Sequence, residues 1–397
     1  MKLTIEEIYK AQEVLKDVAR HPKLVPTSIR EDATVYLKPE CLQLTGSFKL
    51  RGAYYKISQL TPEEKSRGVI ACSAGNHAQG VALGATRNGI KSLICLPAGA
   101  PISKVEATKR FGAEVCLVNG VYDDAYAKAI ELRDKYGYTF VHPFDDPLVI
   151  AGQGTIGLEI LQELPDADIL VVPIGGGGLI SGVAFAAKSL NPKIKVYGVQ
   201  ADGAPSMASS LNYHRIIHLN SVSTIADGIA VKEPGMNTFD LCNRYVDGVV
   251  TVSDDEIAAA ILNLIEKQKL VAEGAGAVSV AAVMFDKIPA IKGKKTVCLV
   301  SGGNIDVNIL SRVINRGLTV GGRLSTLAIN LADKPGQLSG VCNVIAQLGG
   351  NVISVIHDRM DSNTINGCTI RLELETRNAE HISEIKRGLT EQGYGVL

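Results

Sequence analysis

The chain has 397 residues, 46% of them hydrophobic and 21% charged, so it is long enough for two or three domains with large cores, and its composition argues against disorder. Lysine plus arginine and aspartate plus glutamate both total 41, a zero net charge that gives no electrostatic reason to expect nucleic acid or an anionic membrane. Tryptophan is absent and aromatics are only 5%, which argues against base-stacking surfaces.

In chain order, residues 4–19 space Ile5, Ile8, Val14, Leu15 and Val18 as one face of a helix. The acidic Glu6 and Glu7 stand where a signal peptide needs apolar residues, so a cytoplasmic protein is expected. Beyond Pro26, short apolar strands alternate with helical stretches. Strands are expected at Val69–Cys72, Ser92–Leu96, Ala113–Val118, Phe140–Pro143, Ile169–Ile174, Val196–Gln200 and Thr296–Val300. That alternation predicts parallel α/β units, whose chemistry gathers in loops after the strands. The uncharged run Ile169 to Ala187 has the length of a membrane span, but Pro173 and four glycines interrupt it, so it reads as strand, loop and helix start. No membrane contact is expected.

After Arg312–Gly317 the pattern changes. A strand at Ser325–Asn330, the turn Asp333-Lys334-Pro335-Gly336, a helix Gln337–Gln347, strands Val352–His357 and Thr369–Glu375, and a helix Ala379–Gln392 form a βαββα(β) unit. The eight cysteines are scattered, with no close pair for zinc or redox work, so buried free thiols are expected. His214 and His218 have the i, i+4 spacing of helical metal ligands, but no acid follows His214 and Ile216-Ile217 favours a strand; no metal is expected there.

Four segments carry chemistry. Lys49 sits between Phe48 and Leu50 after the turn-prone Thr45-Gly46-Ser47; an apolar setting lowers an amine's pKa and makes it a nucleophile. Gly175, Gly176, Gly177 and Gly178 follow a strand and precede a helix, an arrangement that converges N–H groups on a phosphate and equally serves close strand–helix packing. It lacks the Lys-Ser/Thr ending of an ATP loop and the spacing of a dinucleotide turn. Ser73-Ala74-Gly75-Asn76-His77 offers donors for a carboxylate or ring oxygen, or a plain helix cap by Ser73 or Asn76. Ser301-Gly302-Gly303-Asn304 places a neutral hydroxyl that could serve a ring nitrogen, or an ordinary turn. A lysine nucleophile plus a phosphate loop suggests pyridoxal phosphate.

Taken together, Ser47–Ala53, Ser73–Gly80, Gly175–Leu179 and Ser301–Asn304 resemble the fold type II pyridoxal-phosphate enzymes, and most nearly the threonine/serine dehydratase family. The resemblance covers residues 1–320, with a smaller lobe at about 45–145, and 325–397 resembles a single ferredoxin-like ACT regulatory domain. It implies a two-lobed α/β catalytic unit, pyridoxal 5'-phosphate as cofactor and a small amino acid as substrate. It further implies an amino-acid effector such as isoleucine or valine, and a homotetramer or homodimer. By the same resemblance Lys49 holds the cofactor and is the catalytic base, Phe48 packs on the ring, and Asn76 binds the ring hydroxyl. Gly175 to Gly178 and Leu179 bind the phosphate, Ser301 meets the ring nitrogen and Glu273 lies near the ring. Ser73, Ala74, Gly75, Asn76 and His77 grip the substrate carboxylate, and Gly336 and Asn351 are the regulatory candidates. Threonine deamination is the expected activity, with serine as a poorer substrate; serine deamination as the main activity, or β-replacement, are the alternatives. Racemases of the family carry a serine at the position of Ala74 and acids at those of Gln200 and Ser206, so neither racemisation nor their divalent-metal site is expected.

Overall fold

The computed structural model describes residues 3–289, 291–359 and 366–397. The chain divides into two compact units, Met1–Asp306 and Val307–Leu397. Among the described residues the first unit holds ten strands: β1 (Val25–Thr27), β2 (Thr34–Pro39), β3 (Val69–Cys72), β4 (Ser92–Pro97), β5 (Glu114–Val118), β6 (Thr139–Phe140), β7 (Ile169–Pro173), β8 (Lys195–Ala201), β9 (Gly248–Val252) and β10 (Lys295–Val300). They form a six-stranded sheet, ordered β1-β2-β10-β7-β8-β9, and a four-stranded sheet, ordered β5-β4-β3-β6. Every pairing is parallel except β1 with β2.

Parallel sheets covered by helices on both faces need apolar residues on both sides, and β3 (Val-Ile-Ala-Cys) and β7 (Ile-Leu-Val-Val-Pro) are buried throughout. Each sheet has its own core. Leu170, Val172, Ile180, Val183, Val297 and Leu299 pack around the larger one. Ala53, Ile57, Val69, Ala71, Val81 and Ile94 pack around the smaller. The helix Pro147–Glu163 joins them, giving Val149 to the second cluster and Ile156 and Ile160 to the first.

The expected strand at Phe140–Pro143 is shorter than its sequence suggests. Val141 still donates to the Ile70 carbonyl at 2.9 Å. Pro143 has no N–H to continue the ladder, and the His142 ring turns the chain by accepting from the Phe144 and Asp145 N–H groups. Conversely β1, β2 and β9 lie outside the strands expected from the sequence. In β2 the charge of Lys38 masks the apolar pattern; it is buried against Glu159 at 2.6 Å.

Three loops leave the carboxyl ends of β3, β7 and β10, the position where parallel sheets carry their sites. The run that could mislead as a membrane span is β7, a glycine turn and the helix Gly178–Leu190. No helix among the described residues is long and apolar enough to cross a membrane.

The second unit opens with the helix Val307–Val320. Among the described residues four strands follow, β11 (Leu324–Ala332), β12 (Asn351–Asp358), β13 (Gly367–Glu375) and β14 (Gly395–Val396). They form an antiparallel sheet ordered β12-β13-β11-β14. Leu327, Ile329, Ile370 and Leu372 meet Val341 and Ile345 of the helix Gln337–Gln347, and Ile385 and Leu389 of the helix Ala379–Glu391. This is the βαββαβ order expected from the alternation; residues 360–365 of that span lie outside the described ones.

Candidate active site

A cavity of about 830 Å³ lies where the loops after β3 and β7 meet the segment before Lys49, and it is lined by Phe48, Lys49, Ser73 to His77, Gly175 to Leu179, Glu273 and Ser301. The cofactor and substrate residues expected from the sequence therefore share one space.

The glycine turn is required by packing as well as by any ligand. A Cβ on Gly176 would stand 2.4 Å from the Phe144 ring, and Gly177 has φ +96°, where side chains are strained. Gly177 caps the helix Gly178–Leu190 and no side chain takes the cap role, so the first-turn N–H donors have no intrahelical acceptor. The two readings of this turn are compatible.

Lys49 begins the helix Lys49–Ser58, and its segment is stitched to the loop after β10. Phe48 N–H donates to the Ser301 carbonyl, and Ser47 bridges Gly302. The Lys49 amine donates to the Pro143 carbonyl at 2.8 Å and lies 5.4 Å from the Phe48 ring centroid. Burial pushes its pKa down to about 8, against an opposing pull from Glu273. A usable fraction of neutral amine is thus present near neutrality, as nucleophilic capture of a carbonyl needs.

Glu273 precedes the helix Gly274–Met284. Burial, then Asp227, push its carboxyl up to about 7, although a hydrogen bond from Asn76 holds it down. Asn76 Nδ2 donates to Glu273 Oε1 at 2.5 Å. On its other side Asn76 Oδ1 accepts from Asn304 Nδ2 at 2.8 Å, and Asn304 also donates to the Thr45 carbonyl at 2.7 Å. The amide of Asn76 is thereby held in one orientation. Asn304 closes the segment Ser301–Asn304, but nothing in its sequence context points to this role; only the fold shows it locking Asn76. Ser301 Oγ donates to the Ala275 carbonyl at 3.2 Å.

The loop after β3 leads into the helix Asn76–Arg87, whose cap is Gly75 with no side-chain bond; neither Ser73 nor Asn76 caps it. Ser73 Oγ instead accepts from Gly75 N–H at 3.1 Å. His77 Nε2 lies 2.8 Å from the Val141 carbonyl and so carries the proton. Burial and the neighbouring Lys49 charge push the His77 pKa down to about 3, so the ring stays neutral. Any positive character offered to a carboxylate here comes from backbone N–H groups and the helix dipole, not from imidazolium.

Of the two histidines singled out in the sequence, His218 lines the same cavity and His214 does not. His214 has φ +53° and follows the helix Ser206–Asn212, and His218 pairs with Glu233 at 3.2 Å, so no helical histidine pair forms. Gln200 and Ser206 are buried and uncharged, with Gln200 Oε1 accepting from Ala208 N–H. Gly336, at φ +90°, caps the helix Gln337–Gln347, while Asn351 Nδ2 donates to Glu375 Oε2 at 2.8 Å. Ala332 pairs with Gly367 and Asn351 with Glu375, so Gly336 and Asn351 sit towards opposite ends of the sheet and do not share a site within one chain.

The donor set fits pyridoxal phosphate. It offers a low-pKa amine, N–H groups at a helix start for a phosphate, a fixed amide and a neutral hydroxyl. The cavity falls in the range of about 300–1,000 Å³ usual for small-molecule sites. Comparison with known proteins agrees. The family model described as pyridoxal-phosphate dependent enzyme matches residues 21–303. The chain is 51% identical to an L-threonine ammonia-lyase of Thermotoga maritima, over 99% of both chains. The processed form of threonine deaminase isoform 2 from Solanum lycopersicum superposes with a TM-score of 0.74 at 39% identity, covering 78% of this chain and 93% of that one. Maize serine racemase superposes with a TM-score of 0.76 at 35% identity, covering 81% and 99%.

Proposed function

This chain belongs to the pyridoxal-phosphate dependent enzyme family, and on that premise we propose that it deaminates L-threonine to 2-oxobutanoate and ammonia, with L-serine as a poorer substrate. The observation that carries the reading is the Lys49 amine, at a pKa of about 8, in the same cavity as the glycine turn. The choice of threonine is supported by the Thermotoga maritima relative.

The cofactor, when bound, supplies an electron sink for charge developing at the substrate α-carbon. Lys49 would hold it through its amine and would serve as the base for the α-proton. The N–H groups of Gly175 to Gly178 and Leu179 would hold the phosphate, with the helix dipole in support. Asn76, fixed by Glu273 and Asn304, would hold the ring hydroxyl; Phe48 would pack against the ring, and Ser301, a neutral hydroxyl, would face the ring nitrogen. The N–H groups of the loop from Ser73 to His77 orient the substrate carboxylate. Loss of the β-hydroxyl as water leaves an enamine that, after release, takes up water to give the oxo acid and ammonia.

The second unit, by its βαββαβ order and its Asp333–Gly336 turn, is the regulatory part of this reading, binding isoleucine or valine. Gly336 and Asn351 can contribute to one effector site only when supplied by two chains, which fits a homo-oligomer. Incubation of the holoprotein with L-threonine, with L-serine, and with O-acetylserine plus sulfide tests the reading. Threonine should give the highest kcat/KM for oxo-acid release. Higher serine turnover, or a cysteine product, would replace it by one of the alternatives.

A further inference from the structure

Three side chains with metal-binding atoms meet at one end of the sheet in the second unit. Asp333 follows β11, His357 lies near the end of β12 and Cys368 near the start of β13. Strand register brings them together. Leu331 stands opposite Cys368, and His357 opposite Ile370. Cys368 and Ile370 are two apart and so share a face, which His357 joins through its pairing. Asp333, two residues beyond Leu331, comes to the same end. One carboxylate oxygen, one imidazole nitrogen and one sulfur lie within 4.8 Å of one another.

The surroundings differ for each. Cys368 is 3% exposed and makes the floor of the cluster, while Asp333 and His357 are exposed at its rim. The backbone of Asp333 is held by its N–H bond to the Asn366 carbonyl at 2.9 Å, and its carboxylate pairs with Arg359 Nε at 3.1 Å. Calcium and magnesium seek oxygen ligands alone, so a sulfur–nitrogen–oxygen set does not suit them. It suits zinc and its neighbours, which take thiolate, imidazole and carboxylate together. Tetrahedral zinc bonds put neighbouring ligand atoms roughly 3.3–3.8 Å apart. The exposed side chains of Asp333 and His357 can draw in by that difference while Cys368 stays in place.

We propose that Asp333, His357 and Cys368 form a site for one divalent transition-metal ion of the zinc class, with the fourth position open to water or an external ligand. On binding, the Cys368 S–H bond breaks, its proton passes to solvent and a sulfur–metal bond forms, so occupancy rises with pH. The ion ties the ends of three strands to the turn that starts the helix Gln337–Gln347.

Full-length holoprotein, stripped of metal by dialysis against chelator, is titrated with Zn²⁺ by calorimetry in buffers of different ionisation enthalpy, and retained zinc is counted after desalting. The expected result is one tight site per chain with about one proton released per ion. His357→Ala and Cys368→Ser should each lose that site, by more than the roughly 10–100-fold typical of outer-shell changes. Cys342→Ser, which alters another cysteine of the same unit, should keep it. Zinc uptake by His357→Ala equal to that of the wild type, or no retained zinc in the wild type, overturns the proposal. If Cys368→Ser does not fold, the exposed His357 variant decides. None of these readouts depends on threonine turnover.

Discussion

At the scale of single residues, the site rests on two ionisable groups held away from their ordinary values. Lys49 is down to about 8 from 10.5 and Glu273 is up to about 7 from 4.5. Both shifts have burial as their first cause, and both set a stability profile for the cofactor-free protein. Between pH 4.5 and about 7 the folded state holds the Glu273 proton more firmly than the unfolded chain, so stability falls as pH rises through that window. Between about 8 and 10.5 the unfolded chain holds the Lys49 proton more firmly, so stability rises with pH there. Glu273→Gln should flatten the first slope and raise Tm at pH 7 more than at pH 5. An equal change in Tm at both values would contradict the assignment of the buried charge. Lys49→Ala should lower threonine turnover at least about 10³-fold, since the residue serves as both tether and base and a general base alone contributes roughly 10²–10⁴-fold. The variant should keep the far-ultraviolet dichroism of the wild type; turnover within tenfold of wild type would remove Lys49 from the mechanism.

At the scale of elements, the helix Lys49–Ser58 is aimed by a buried ionic cluster that pattern reading of the sequence did not find. Arg51 is fully buried and bonds Glu40 through Nε and Nη2, both at 2.8 Å, and Glu159 through Nη1 at 2.5 Å. Lys38 completes the charge balance at Glu159. Arg51→Met would take from the buried Glu40 its ionic partner and leave Glu159 to Lys38 and His21, and we expect a loss of about 3–5 kcal/mol in chemical denaturation. A loss below about 1 kcal/mol would mean that the cluster is hydrated, as surface pairs are. The core parallel strands other than β2 and β9, and the three site loops, were legible in the sequence because local signals specify them: apolar runs, glycine turns and helix periodicity. Arg51, Glu40, Glu159 and Lys38 were not, because their partners lie 11 to 121 residues away and each reads alone as a surface charge. Asn304 was half legible: its segment stood out, but its hold on Asn76 crosses 228 residues. Asp333 stood out only as a turn residue, and His357 and Cys368 carry no ligand spacing in the sequence, since only antiparallel register assembles the three.

At the scale of the whole molecule, a cavity-bearing α/β unit precedes a smaller antiparallel unit in one chain. The regulatory reading of the second unit predicts that isoleucine or valine shifts the apparent affinity for threonine by about five- to 150-fold, the range of coupling energies near 1–3 kcal/mol. Superimposable threonine saturation curves with and without saturating effector would leave the unit an assembly element only. The central claim is narrower: the cavity at Lys49 is where the family's cofactor is held. Borohydride reduction of the holoprotein, followed by proteolysis and mass spectrometry, tests it most directly. The account predicts a phosphopyridoxyl mass on the peptide that contains Lys49. A label on another lysine, or no label on a protein that retains threonine turnover, would contradict it.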